Sequence, residues 1–281
     1  MNENERKMTG SVEVSFKNAT GTKKLVDYVS KEPYREVMQK ILVEVNAETG
    51  TVDFVSCDGY IMGVVNNKAN ATWNDDSEKG VFQALFHTWD WKEICDYAKK
   101  TKSAVKFEIY KRIEEERSDT MIAVIGDKRI ESTMCRLAYP KWRCVIPTDF
   151  KTSISIHPED VKAAQNFIRG CKVDEDQFLY VSCYQGSDIA YLDQIIDKNL
   201  NNEIVKTWKF RLDKPAKTTS EICYKLQFLK KVKFTGFNFN EKWTATAVDC
   251  ENADLLLLMP SNCSLPEHVV AGRLTENAAA A

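Results

Sequence analysis

Residues 41–65 read ILVEVNAETGTVDFVSCDGYIMGVV, and this stretch decides the fold. Ile41–Val45 and Val52–Cys57 are rich in β-branched and aromatic residues. The polar run Asn46-Ala47-Glu48-Thr49-Gly50 between them is hairpin chemistry. Asp58-Gly59 is a second turn signal, after which Tyr60–Val65 returns as a third strand. Three strands joined by two tight turns make an antiparallel meander, because a connection this short cannot return a chain to a parallel position.

Outward from the meander, Ser11–Phe16 alternates as a strand, and Asn18–Ser30 carries Leu25, Val26 and Val29 as a short helix. Residues 66–80 are polar and read as a loop. Trp89–Lys100 sets Trp89, Ile94 and Tyr97 on overlapping helical faces. Ala104–Ile109, Thr120–Ile125 and Lys128–Cys135 form a second meander, with Glu114-Glu115-Glu116 at a solvated tip. Tyr139–Pro147 is an extended segment bounded by prolines.

The pattern then starts again. Ser153–Ile156 is a strand, and Pro158, Glu159 and Asp160 open a helix to about Gly170. Phe178–Cys183, Ile189–Ile195 and Glu203–Phe210 are strands. Ser220 opens a helix through about Leu229 on the spacing of Ile222, Leu226 and Leu229. Strands at Val232–Phe237, Trp243–Val248 and Leu255–Met259 follow. The fold class is α+β, with two tandem domains of like topology, each built of antiparallel sheets with two helices. The expected divisions are 11–150, 151–260 and a loose tail, 261–281.

Composition narrows the function. The chain has 281 residues, of which 43% are apolar and 28% charged, enough for two cores. Thirty-nine Lys and Arg against 41 Asp and Glu give a net charge of -2, which excludes a uniformly basic nucleic-acid binder but not one basic face. No apolar run approaches the ~20 residues that span a bilayer. The polar first ten residues hold no secretory core, and nine scattered cysteines without a C-x-x-C fit reduced thiols in a cytoplasm. His87, His157 and His268 lack metal-ligand spacing, no phosphate-cradling glycine loop occurs, and no nucleophile elbow occurs. No metal and no cofactor are expected, and no catalytic motif is found.

Two segments resemble the bacterial DNA polymerase III β subunit, the sliding clamp family. Val55-Ser56-Cys57-Asp58-Gly59-Tyr60-Ile61-Met62 resembles that family's A-T-D-G-H-R-L. Tyr139-Pro140-Lys141-Trp142-Arg143-Cys144-Val145-Ile146-Pro147 resembles its F-P-D-Y-R-R-V-L-P. Pro33-Tyr34-Arg35-Glu36-Val37 lies where the family's middle domain has an Arg. Leu256-Leu257-Leu258-Met259-Pro260 looks like the closing V-V-M-P-M-R-L. The likeness covers about residues 11–260 and matches the last two of the family's three clamp domains. It departs at Tyr60-Ile61 for the usual His-Arg pair, at Cys144 for the second Arg, and at Ser261-Asn262 for the terminal Met-Arg-Leu.

The resemblance implies a DNA polymerase processivity factor that encircles duplex DNA without reading its sequence and performs no chemistry. Its implied peptide-binding pocket comprises Cys57, Tyr60, Ile61, Met62, Pro140, Cys144, Val145, Leu257, Leu258, Met259 and Pro260, at the junction of the two domains. Polymerase and clamp loader are the implied partners, through short linear peptides. Helices lining the ring would carry Lys23, Lys24, Lys92, Lys99, Lys100, Lys162, Arg169, Lys225, Lys230 and Lys231, because phosphate contacts are electrostatic. A ring of this family holds six domains, so a two-domain chain would close as a head-to-tail homotrimer. Two other readings compete. One is a clamp-fold protein-interaction adaptor that does not encircle DNA. The other is an enzyme using Cys57, Asp58 and a distant histidine.

Overall fold

The computed structural model describes residues 8–74, 80–110, 120–133, 135, 137–147, 150, 152–172, 177–198, 201–230, 232–239, 246–250, 255–259, 269 and 273. They fall into two compact units, Met1–Trp142 and Arg143–Glu251 with Leu255–Ala281. Among the described residues no helix is long and apolar enough to cross a membrane.

The first unit opens with β1 (Met8–Val14) and α1 (Phe16–Gly21), which runs into a 3-10 turn at Thr22–Asp27. The expected meander follows as β2 (Lys40–Asn46), β3 (Thr51–Cys57) and β4 (Ile61–Lys68), then β5 (Asn70–Trp73) and β6 (Val81–His87). After α2 (Thr88–Thr101) come β7 (Val105–Tyr110), β8 (Thr120–Ile125) and β9 (Lys128–Glu131). They form a sheet of order β5-β1-β7-β8-β9 and a run of order β4-β3-β2-β6, and all of these pairings are antiparallel. The first hairpin is set by Asn46, whose Oδ1 accepts from Glu48 N at 3.0 Å and Thr49 N at 3.1 Å. Gly50 supplies the positive φ of 65° that the turn requires.

The core of this unit is aromatic. Trp91 is 1% exposed, with its ring centroid 5.3 Å from Phe54, 5.7 Å from Phe86 and 6.2 Å from Phe107. Its Nε1 donates to Thr22 Oγ1 at 3.2 Å, and Cys95 Sγ donates to Ala19 O at 3.3 Å. These bonds tie α2 to α1 and its 3-10 extension, so one buried face, Trp91, Ile94, Cys95 and Ala98, fixes the helix pair.

The second unit repeats the order. It comprises β10 (Thr152–Ser155), α3 (Pro158–Gly170), β11 (Gln177–Cys183), β12 (Ile189–Lys198), β13 (Asn201–Arg211), β14 (Ser220–Lys225), α4 (Leu226–Leu229), β15 (Phe234–Phe239), β16 (Thr246–Cys250) and β17 (Leu255–Leu258). Its strands run β13-β12-β11-β14 and β10-β15-β16-β17. These are the orders of β4-β3-β2-β6 and β1-β7-β8-β9, so the two units share one topology, with β5 the addition in the first. The expected α+β class with antiparallel sheets and few helices is what the chain adopts.

Several local expectations need correction. Residues 66–80 are not one loop, because β4 continues to Lys68 and β5 follows. Strand β6 has no counterpart among the expected elements. Ser220–Lys225 is strand β14, and only Leu226–Leu229 is helical. The spacing of Ile222, Leu226 and Leu229 mimics a helix, but pairing with β11 from Phe178↔Lys225 to Cys183↔Ser220 wins. The segment at Tyr139–Pro147 holds a 3-10 turn at Trp142–Val145. Trp89 is 63% exposed, and Trp91 is the core tryptophan. The acidic run at 114–116 and most of the expected tail lie outside the described residues.

At the start of α3, Arg211 holds Asp160 through Nη2 at 2.8 Å and Nε at 3.1 Å, and Glu159 through Nη2 at 3.0 Å. Hydrogen bonds from the Arg211 side chain and backbone hold the Asp160 carboxyl down at about 2. A depressed carboxylate pKa stabilises the fold above the unfolded value of ~3.8 and is lost as pH falls toward 2. Acid unfolding of Asp160→Asn, followed by circular dichroism, is therefore expected to be flatter between pH 4 and 2 than that of the parent. Equal slopes would remove Arg211 from the account.

Candidate functional site

The β3–β4 turn is built by side chains rather than by backbone alone. Asp58 Oδ1 accepts from Tyr60 N and Ile61 N, both at 2.8 Å, and Asp58 N donates to Ile61 O at 3.0 Å. Gly59 sits at φ 95°. A Cβ there would collide with Arg35 Nη1, which donates to the Asp58 carbonyl. Arg35 Cζ lies 5.6 Å from the Tyr34 ring centroid and 5.7 Å from that of Tyr60. Tyr34 is 76% and Tyr60 47% exposed, so a guanidinium flanked by two solvent-facing rings crowns the turn. The resemblance marks Arg35 in the sequence but gives neither it nor Tyr34 a place in the site. Gly59→Ala is expected to cost about 1–2 kcal/mol of stability, from the left-handed backbone, plus displacement of Arg35. Thermal unfolding at the parent's midpoint would contradict that geometry.

Of the expected pocket residues in the first unit, Cys57, Tyr60, Ile61 and Met62 are brought together by this hairpin, with Cys57 opposite Met62. Ile61 and Met62 are buried, Cys57 is half-buried and Pro140 is exposed. In the second unit Cys144 and Val145 are exposed on their 3-10 turn, Leu257 and Leu258 are buried in β17, and Met259 is 39% exposed. Pro260 lies outside the described residues. In the first unit Tyr60 and Pro140 thus offer exposed apolar atoms while Ile61 and Met62 are buried, and in the second Cys144, Val145 and Met259 are exposed while Leu257 and Leu258 are buried.

Nucleophilic chemistry at Cys57 is disfavoured. Burial holds its thiol above the usual range, so it is protonated at neutral pH. The Asp58 carboxylate is engaged by two backbone amides, and no hydrogen bond joins either residue to His87 or His157 among the described residues. No group of three or more His, Cys, Asp or Glu is placed to hold a metal ion among them.

The expected basic residues divide into engaged and free. Lys23 pairs with Asp96, and Lys24 lies 4.0 Å from Asp27. Glu93 pairs with Lys128. Two of the three acids on α2, Glu93 and Asp96, are thus neutralised by cations outside the helix, while Asp90 in its first turn has no salt-bridge partner among the described residues; Lys92, Lys99 and Lys100 are exposed and without a carboxylate partner among them. Lys162 and Arg169 are exposed on α3. Lys230 Nζ donates to the Cys171 carbonyl at the end of α3. Lys225 sits on β14 and has a partner of its own. Lys231 lies outside the described residues.

No protein-family model matches the chain, and its sequence matches no curated protein. Its structure is similar to the DNA polymerase sliding clamp from Pseudomonas aeruginosa, with TM-score 0.68 and 12% identity over 94% of this chain and 70% of that one. It is similar to the Helicobacter pylori β clamp bound to a DNA ligase peptide, with TM-score 0.66 and 12% identity over 92% and 67%. The Bacillus subtilis sliding clamp gives 0.67 and 11% over 90% and 64%. The likeness is one of fold: the chain has the α+β clamp fold and corresponds to roughly two of the three clamp domains.

Proposed function

We propose that this chain is a DNA polymerase processivity factor, a non-catalytic sliding clamp that encircles duplex DNA and tethers polymerase and other partners by short peptides. The observation that carries this reading is the clamp topology present twice, in the same strand order, over 94% of the chain. The partly neutralised α2 supports it, since Lys92, Lys99 and Lys100 are exposed cations on a chain of net charge -2, of the kind that phosphate contact uses. The exposed apolar residues around the Asp58-Gly59 turn, with Val145 and Met259 of the second unit, are the proposed peptide contacts, and the ligase peptide carried by the Helicobacter pylori clamp is the precedent.

Ring closure in this proposal is head to tail. The strand β13 ends one sheet of the second unit and β9 ends one sheet of the first. Pairing β13 of one copy with β9 of the next would cover both edges and repeat around a threefold axis. Light scattering across a concentration series tests it, with an expected species of about 96 kDa, three copies of the 32.1 kDa chain. A persistent monomer would overturn the ring.

The second reading is an adaptor of clamp fold that does not encircle DNA. One observation favours it: α4 is a single turn and Lys230 beside it is held by the Cys171 carbonyl, so α4 offers less free positive charge than α2. Salt-insensitive behaviour on duplex DNA together with peptide binding would select this reading.

A further inference from the structure

Asp193 lies in the middle of β12 and is 0% exposed. A carboxylate removed from water requires a cation and filled lone pairs. Thr207 Oγ1, directly across on β13, donates to Oδ1 at 2.6 Å. The cation comes from 80 residues downstream: Arg273 Nη1 donates to Oδ2 and Nη2 to Oδ1, both at 2.7 Å. The guanidinium carbon stands 4.2 Å from the Tyr191 ring centroid, and Nη1 lies 3.5 Å from Ser182 Oγ. Arg273 is itself 7% exposed. Val269, four residues earlier and likewise in helical backbone, packs against Tyr180, Ile195 and Cys223. Two residues four positions apart in sequence therefore pack on one sheet face, one at a polar and one at an apolar place.

The parts match one ligand chemistry. Two carboxylate oxygens face a two-pronged donor, and an aromatic ring lies against a flat cation. An ammonium ion satisfies neither the fork nor the stack as a plane does. We propose that the second unit contains an arginine-binding pocket, formed by Asp193, Tyr191, Ser182 and Thr207, whose occupant is the chain's own C-terminal segment and whose ligand class is an alkylguanidinium. Within the expected tail, Arg273 itself is held in this pocket. An empty pocket leaves a buried, unpaired carboxylate, which gives it a strong demand for any guanidinium that fits.

Chemical rescue on the full chain tests this. Arg273→Ala is expected to lower the unfolding midpoint by roughly 10 °C, the scale of a broken buried ion pair. Ethylguanidinium in the millimolar range is expected to recover part of that loss, while ethylammonium or sodium chloride at equal concentration does not. The parent protein, whose pocket is filled, should not respond. Adding Asp193→Asn to Arg273→Ala removes the unpaired charge, so the double variant should melt above the single one and lose the rescue. Should Arg273→Ala fail to fold, Arg273→Lys keeps the charge without the fork and is expected to melt below the parent. Parent-like melting of Arg273→Ala or Arg273→Lys, or rescue by ethylammonium equal to that by ethylguanidinium, would overturn the pocket.

Discussion

Replacing Lys92, Lys99 and Lys100 together with Glu is expected to lower duplex-DNA association by at least about tenfold and to make its salt dependence shallower, by roughly one logarithmic unit for each phosphate no longer neutralised. The three side chains are exposed on α2, and their charges are not cancelled within the described structure. Of the three acids that dilute α2 on paper, Glu93 and Asp96 are occupied by Lys128 and Lys23, which leaves Asp90 alone against the three lysines. Reversing Lys230 makes the contrast. Its ammonium already serves the Cys171 carbonyl, so Lys230→Glu should disturb the end of α3 more than it changes binding. Fluorescence anisotropy with a labelled duplex across a salt series measures both effects. An unchanged slope for the triple variant would move the DNA path away from α2 and favour the adaptor.

The readability of this chain follows the range over which each feature is determined. The 41–65 meander is legible because its turns are local: Asn46 caps its own loop, and Asp58 binds the amides two and three residues on. The repeat is legible because each copy is spelled by such local units. Strand β14 reads as a helix because a single apolar period cannot distinguish a helix from a strand whose partner, β11, lies some 40 residues away. Trp89 and Trp91 differ by two positions on one helix, and only the aromatic cluster from β3, β6 and β7 decides which is buried. Arg35 and Arg273 escape a sequence reading of the site for a related reason. Each is an ordinary basic residue until a distant partner, Asp58 or Asp193, gives it a geometry.

Trp91→Ala is expected to cost about 3–5 kcal/mol, the range for truncating a large buried aromatic side chain. Collapse into the space is restricted, because Phe54, Phe86 and Phe107 are fixed on three different strands and Phe107 already packs against the other two. The loss has a second part. With the indole gone, Thr22 Oγ1 loses the indole donor, and α2 loses one of its three buried bonds to the α1 region. At about 4 °C per kcal/mol for a unit of this size, the first unit should unfold at a midpoint lower by roughly 12–20 °C. Such a variant would lose DNA association merely by loosening α2, so Trp91→Phe separates the two causes. It keeps a ring among the three phenylalanines and gives up the Nε1 bond, at a cost of about 1–2 kcal/mol. Calorimetry should find Trp91→Phe folded at working temperature, with Lys92, Lys99 and Lys100 still presented and DNA association near that of the parent. If Trp91→Phe loses as much stability as Trp91→Ala, the hydrogen bond to Thr22, rather than ring packing, is what sets α2 in place.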